Sequence, residues 1–289
     1  MARILVTGIA ARDIIHTVSH YPAEDEEMRA ESQEIRLGGN AANTATVLAQ
    51  HSHDVHFLGT VASDSAGKAL IREMQNNNIH TQHCPRMTGS TPTSYITLNQ
   101  ENGSRTIIHY RDLPEFSAPD FPMDAISTFD WFHFEGRNVA ETRKMLEAIR
   151  SQKVDQSISL EVEKCHENIE SLFELADVLL FSRDYARFQQ FDNAAAFLKS
   201  TRRQFNNKIL ICSWGEAGAT GMDRDRHIIQ QAAWKPPRVI DTIAAGDTFN
   251  AGIIHSFSSG KTLVEALSYA CELAGRKVGQ SGLKNLAKS

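Results

Sequence analysis

The sequence predicts an α/β fold: a mostly parallel central sheet with helices on both faces, plus a small antiparallel β lid. Three observations predict it. Short apolar, β-branched runs alternate with longer segments of helical spacing along most of the chain. Two segments interrupt that rhythm with β-type patterning of their own. Two stretches of very small residues stand at helix starts, where backbone can approach a ligand closely. The 289 residues read as one domain spanning 1–289, with the lid formed by excursions at about 12–37 and 90–113.

In chain order, "RILVTGI" (3–9) reads as a buried first strand and "NAANTATVLAQ" (40–50) as a helix rich in small residues. A strand at 55–61 and a helix at 65–76 follow. After an interruption come strand 129–136, helix 139–152, strand 157–163 and helix 168–175. Strand 177–182, a helix near 193–202 and strand 208–214 continue the alternation, and two helices broken near 258–260 close the chain. Alternation of this kind implies right-handed crossovers and a parallel sheet. The exceptions are 28–37, which reads as extended, and 93–111, where β-formers flank Asn102-Gly103, a hairpin signal. A sheet attached by two excursions suits a lid over a site; it equally suits a dimer contact or an ordinary edge hairpin.

Composition narrows the function. Charged residues make up 22% and the net charge is −5, which disfavours non-specific nucleic-acid binding. Cys84, Cys165, Cys212 and Cys271 form no CxxC pair, so neither a disulfide framework nor a zinc site is expected, and a cytoplasmic setting is. The N-terminal apolar run is broken by Arg12 and Asp13 and reads as a strand rather than a signal peptide. No apolar run approaches the roughly 18 residues of a membrane span.

Two phosphate motifs fail. "GKT" at 260–262 follows a helix, and His255 stands where a P-loop needs its first glycine. No G-x-G-x-x-G follows the first strand, which argues against a dinucleotide oxidoreductase. "HSHDVH" (51–56) reads as a turn between helix and strand rather than a metal site.

"DTIAAGDTFNAG" begins at Asp241. Its small residues Ala244, Ala245 and Gly246 sit where a helix starts, so free N–H groups and the helix dipole favour an anion there. Asp247 would repel that anion unless it acts as general base toward a hydroxyl beside the phosphate. The alternative is an Asp cap on a tightly packed helix. In "RLGGNAANTATVLAQ", Asn40 and Asn43 lie one helical turn apart after Gly38-Gly39. Their amides could meet sugar hydroxyls, or Asn40 could be a helix cap and Asn43 solvated.

Together, "GGNAANTATVLA" and "DTIAAGDTFNAG" resemble the two signatures of the ribokinase-type (PfkB) carbohydrate kinases. Length and element order agree across essentially the whole chain. Stretches outside the signatures, including "FHFEGRN", "LEVEK" and "CSWGEAGA", resemble the ketohexose-phosphorylating branch of that family. The resemblance implies a ribokinase-like fold and transfer of the γ-phosphoryl group of ATP, with Mg²⁺, to a primary hydroxyl of a ketohexose such as fructose. It also implies that a monovalent cation could assist. Asp247 would be the base and Ala244, Ala245 and Gly246 the anion hole. Asp13, Asp25, Gly39, Asn40, Asn43 and Arg105 would bind the sugar or the reacting groups. Trp214, Glu216 and Gly218, with Phe249, Asn250 and Cys271 as weaker members, would line the nucleotide pocket.

Paired acids suit polyol recognition, because a carboxylate accepts from neighbouring hydroxyls. An arginine suits a phosphate in transfer. Ala244 replaces a glycine common in the family. "SRDY" (182–185) stands where many members carry N-x-x-E, so no metal ligand is assigned, with Glu161 and Glu163 as water-mediated substitutes. The partners implied are a small-molecule sugar and a nucleotide, with a homodimer formed through the lid. Other readings are a kinase of another sugar, a sugar phosphate, a sulfosugar or a nucleoside, or a non-enzymatic sugar sensor on the same fold.

Overall fold

The structure is a computed structural model describing residues 1–152 and 155–287. Strands β1 (Arg3–Thr7), β2 (Ala11–Val18) and β3 (Ser32–Gly38) precede helix α1 (Asn40–Gln50). Then come β4 (Asp54–Leu58), β5 (Val61–Ala62), α2 (Ser65–Asn76), β6 (Ile79–His80) and β7 (Arg86–Met87). The hairpin strands β8 (Thr93–Asn99) and β9 (Arg105–Tyr110) lead to β10 (Trp131–Glu135), α3 (Val139–Ser151) and β11 (Ser157–Val162). The remainder is β12 (Val178–Phe181), α4 (Arg183–Phe188), α5 (Ala194–Gln204), β13 (Ile209–Ser213), β14 (Ala219–Met222), β15 (Ile228–Gln231), α6 (Ala245–Ser258) and α7 (Leu263–Val278).

Among the described residues the large sheet has the order β15-β14-β13-β12-β11-β10-β1-β4-β6. It is parallel from β13 through to β6 and antiparallel only at the β13–β14–β15 edge. Its strands alternate between two cores, because successive side chains point to opposite faces. Ile4, Val6, Val178 and Leu180 pack with α1, α2, α6 and α7 on one face. Leu5, Leu179 and Phe181 pack with α3 and α5 on the other. Burial on both faces explains why these strands read as continuous apolar runs.

Several expectations need correction. The small sheet, ordered β3-β2-β8-β9, is mixed rather than antiparallel: β2 and β8 at its centre pair in parallel. They come from separate excursions that leave the core in the same direction. The helix expected at 168–175 is a 3₁₀ helix, Ile169–Leu175, long for that tighter winding. Strands β14 and β15, of four residues each, were not anticipated. The "HSHDVH" stretch is the turn into β4, but β6 brings His80 Nε2 to 3.1 Å from Asp54. The Arg3 guanidinium already lies 3.2 Å from that carboxylate.

One face of the lid buries Ile15, Ile96 and Leu98 against Ile243, immediately before α6. The lid is thereby anchored to the segment carrying Ala244 and Asp247. Helix α6 itself is clamped by α7. A Cβ added at Gly252 would lie 2.8 Å from the Ala270 Cα, so the two backbones touch. Alanine there gains about 1 kcal/mol of helix propensity but meets an overpacking cost of roughly 1–3 kcal/mol. Gly252→Ala is expected to lower the unfolding free energy by about 1 kcal/mol, read by urea denaturation; a more stable variant would show that the helices separate freely.

Candidate active site

The functional side chains gather where the parallel strands end, as open α/β sheets dictate. The ends of β1, β10, β11 and β12, the starts of α1 and α6, and the inner side of the lid enclose a cavity of about 390 Å³. That volume is in the range of ligand sites.

Asp247 lies in the first turn of α6 and is only 6% exposed. Its Oδ2 accepts a hydrogen bond from Asn43 Nδ2 at 2.7 Å, and the Thr44 hydroxyl donates to its backbone carbonyl at 3.3 Å. Burial pushes the Asp247 carboxyl up to about 8; Asn43 opposes the shift, while the charges of Glu163, Glu135 and Asp13 add to it. Beside it, a Cβ added at Gly246 would meet no atom within 4 Å, so the backbone there borders open space. The first N–H groups of α6 lack intrahelical acceptors and face this cavity. Ala244 is the residue before the helix and adopts φ 61°, ψ 16°. This left-handed conformation costs an alanine about 1–2 kcal/mol relative to glycine. Its methyl packs against the lid cluster of Ile15, Ile96, Leu98 and Ile243, which offsets part of that strain.

Asp13 projects from β2 into the same cavity, and burial raises it to about 6. Gly38 is required there: a Cβ would lie 2.2 Å from the Asp13 carboxylate. Gly39 has φ 94°, and a Cβ would fall 2.4 Å from the Ile9 carbonyl. Its role is therefore to let α1 start against the end of β1. Asn40 turns away from Asp247 and donates to Glu163 Oε2 at 3.0 Å and Glu161 Oε1 at 3.3 Å. Arg105 on β9 lines the cavity and donates to the Thr242 hydroxyl at 2.9 Å.

Not every anticipated residue arrives. Asp25 is exposed in the loop between β2 and β3 and lies outside the cavity of its own chain. The loop is long enough to swing it off the lid. Phe249 and Cys271 pack in the hydrophobic core, because they fall on the α6–α7 contact faces. Asn250 reaches the cavity rather than a nucleotide pocket: its amide donates to Glu161 Oε1 at 3.0 Å. Trp214, Glu216 and Gly218 form the turn after Ser213, which itself lines the cavity. Arg187 stacks over the Trp214 ring at 5.9 Å. Gly218 (φ 93°) has a backbone requirement, since a Cβ would lie 2.0 Å from the Gln231 carbonyl.

The structure adds residues to which the sequence assigned no role, beside Glu161, which it had named as a water-mediated metal substitute. Glu135 ends β10 and accepts from the Ile9 N–H at 2.9 Å. Burial raises it to about 7 against the nearby Arg137 guanidinium. Burial and the Asp247 charge push Glu161 well above the carboxylate range. Arg137, Lys164, Ser94 and His109 complete the wall. The available signal was position: ionisable residues at the ends of otherwise apolar strands, in "FHFEGR" and "LEVEK". So many close carboxylates cannot all ionise together without strong mutual repulsion. The second oxygen of buried Glu161 has no hydrogen-bond partner among the described residues. With Glu163 and Asp184 alongside, these hard oxygen donors fit Mg²⁺, directly or through water. "SRDY" supplies no such ligand from Ser182 or Tyr185, which cap and anchor α4: the Ser182 hydroxyl accepts from the Tyr185 N–H at 2.9 Å.

The whole chain, residues 1–289, matches the family model for pfkB family carbohydrate kinases. The protein belongs to that family and is an ATP-dependent sugar kinase. It is 36% identical to ketohexokinase from Mus musculus over 98% of both chains. In fold it resembles adenosine kinase from Sinorhizobium meliloti (TM-score 0.82, 20% identity, 96% and 94% of the chains). It also resembles Arabidopsis thaliana ribokinase complexed with ribose and ATP (TM-score 0.80, 20% identity, 97% and 94%). No helix among the described residues is long and apolar enough to cross a membrane.

The raised Asp247 carboxyl has a consequence for stability. A carboxyl that titrates near 8 when folded and near 3.8 otherwise stabilises the fold below about pH 4, and this contribution fades as pH rises toward 8. Asp247→Asn lacks that titration. Its stability relative to wild type is therefore expected to rise between about pH 5 and about pH 9, measured by urea unfolding at both; a pH-independent difference would contradict the assignment.

Proposed function

We propose that this kinase phosphorylates a ketohexose such as fructose at a primary hydroxyl, the 1-position, with Asp247 as general base. The observation that carries the chemistry is the buried, Asn43-tethered Asp247 carboxyl beside the open N-terminus of α6. Support for the sugar comes from the ketohexokinase relative, 36% identical over nearly the full length.

In this reading the sugar lies against Asp13, Asn43 and the lid, with its reacting hydroxyl at Asp247. The hydroxyl oxygen attacks the γ-phosphorus of ATP, the bond to the bridging β–γ oxygen breaks and ADP leaves. The hydroxyl proton passes to Asp247. The N–H groups at the start of α6 meet the charge developing on the transferred group, and Arg105 approaches it from the lid. Mg²⁺, held by Glu161 and Glu163, would neutralise phosphate charge; its arrival would also favour ionisation of Asp247. The turn from Trp214 to Gly218 would border the nucleotide. Lid closure would exclude water and limit wasteful ATP hydrolysis.

We further propose a cytoplasmic homodimer joined through the lids. The outer lid face carries a row across all four strands, Ile35, Ile14, Tyr95 and Ile108. Ile108 is 69% exposed and Ile35 55%, an apolar row that pairing would cover.

The test is ATP consumption over a panel of ketoses, aldoses, sugar phosphates and nucleosides. Fructose or a near relative should give the highest kcat/KM; preference for ribose or a nucleoside would overturn the assignment of the sugar and leave the kinase class intact. Asp247→Asn should stay folded and lose about 10²–10⁴-fold in kcat; near-normal turnover would remove the base. Glu161→Gln should raise the Mg²⁺ concentration needed for half-maximal activity, and an unchanged Mg²⁺ dependence would exclude Glu161 from holding the ion.

A further inference from the structure

Directly before the anion-binding turn lies a buried charge cluster that the transfer chemistry does not touch. Asp241 and Lys277 are each only 1% exposed. The Lys277 ammonium donates to the Asp241 carbonyl at 2.9 Å and lies 3.0 Å from its Oδ2; the Gln280 carbonyl is 3.5 Å away. Asp241 is fully engaged. Its Oδ1 accepts from the Ile243 N–H at 2.9 Å, and its Oδ2 accepts from Arg36 Nη1 at 2.7 Å and the Gly282 N–H at 3.1 Å. Burial of an ammonium at such depth is costly unless it is paired and hydrogen-bonded. The cluster therefore has a strong preference for one arrangement.

What it arranges is the segment from Asp241 to Ala244. This segment carries the strained left-handed Ala244, which has no side-chain cap to hold it. Its Thr242 receives Arg105 from the lid, and its Ile243 completes the lid core. Lys277 lies in the last turn of α7 and Gln280 just beyond it, and Arg36 belongs to lid strand β3. The end of α7, lid strand β3 and the segment leading into α6 are thus pinned at one carboxylate.

We propose that Lys277 is a positioning residue for phosphoryl transfer: a cation built into the chain that holds the Asp241–Ala244 turn, and through it the backbone N–H groups at the start of α6. This rests on the reading of Asp247 as base and of those N–H groups as the anion site. Its ligands are a carboxylate and carbonyl oxygens, the donor type that also replaces the hydration shell of a small monovalent cation. Sugar recognition by Asp13 and Asn43 arises on β2 and α1. Loss of Lys277 therefore weakens transition-state stabilisation more than substrate binding.

The experiment is Lys277→Ala, assayed with the best sugar of the panel. Arg36 remains to neutralise Asp241, so the truncated site keeps a paired carboxylate. We expect kcat to fall about tenfold or more with KM for the sugar within about threefold. Ammonium or K⁺ should restore kcat by refilling the vacated site, whereas tetramethylammonium at equal ionic strength should not. Lys277→Met, which fills the space without charge, should show the same loss without rescue, and it carries the kcat-against-KM test if the alanine variant does not fold. Unchanged kcat in either variant, or a loss that no small cation restores in a folded Lys277→Ala, overturns the proposal. Wild-type turnover and Asp247→Asn test the underlying reading separately, since neither depends on Lys277.

Discussion

Everything in the site depends on one buried hydrogen bond, Asn43 Nδ2 to Asp247 Oδ2. It joins side chains 204 residues apart in sequence, one on α1 and one on α6. Neither could be buried alone: an unpaired carboxylate or amide at this depth would lose its hydration without compensation. Holding them in register requires α1 to start against β1, which Gly39 permits, and α6 to lie flat on α7, which Gly252 permits. The bond also fixes one oxygen of a carboxylate that lines the cavity.

The electrostatics follow from the architecture. Parallel strands bring their C-terminal ends together, and here those ends carry Glu135, Glu161 and Glu163 while the lid brings Asp13. Burial, with repulsion among neighbouring acids, raises the proton affinity of Glu135, Glu161, Asp247 and Asp13. Carboxyls shifted in this way and gathered in one cleft are the mark of a functional site. Arg105, Arg137 and Lys164 supply positive charge at its wall, suited to a phosphate entering beside the acids. The lid takes part in both functions. Its inner face is core, joined to Ile243, and its outer face is an uncovered apolar row.

How much was legible in the sequence depended on whether a residue's role was local. Asp247 and its small neighbours were recognisable because a helix start announces itself through residue size and the following periodicity. Asn43 was recognisable as sharing a face with Asn40, yet the two amides serve different carboxylates, Asp247 and Glu161/Glu163. Asn250 was anticipated on the nucleotide side and instead meets Glu161. Phe249 and Cys271 were anticipated in a pocket and are core, because helical position alone does not say which flank of α6 or α7 is covered. Glu135 was passed over, since a glutamate ending an apolar strand gains meaning only when other strand ends are known to converge on it. Ala244 is explained by its backbone: the turn wants a left-handed residue, which glycine adopts freely and alanine adopts with support from the lid core.

The sequence by itself determined the layered α/β architecture, the positions of the two small-residue helix starts and the identity of the acid that follows the second. These follow from periodicity, residue size and short-range backbone chemistry, which act over a few residues. Only the tertiary structure decided that Asn43 holds Asp247, that one Glu161 oxygen has no partner among the described residues, that Asp25 lies outside the cavity, and that Lys277, Asp241 and Arg36 meet beneath the turn into α6. Those outcomes depend on which strand ends and helix faces come together, and the energies of desolvation and pairing that settle them arise only at contact.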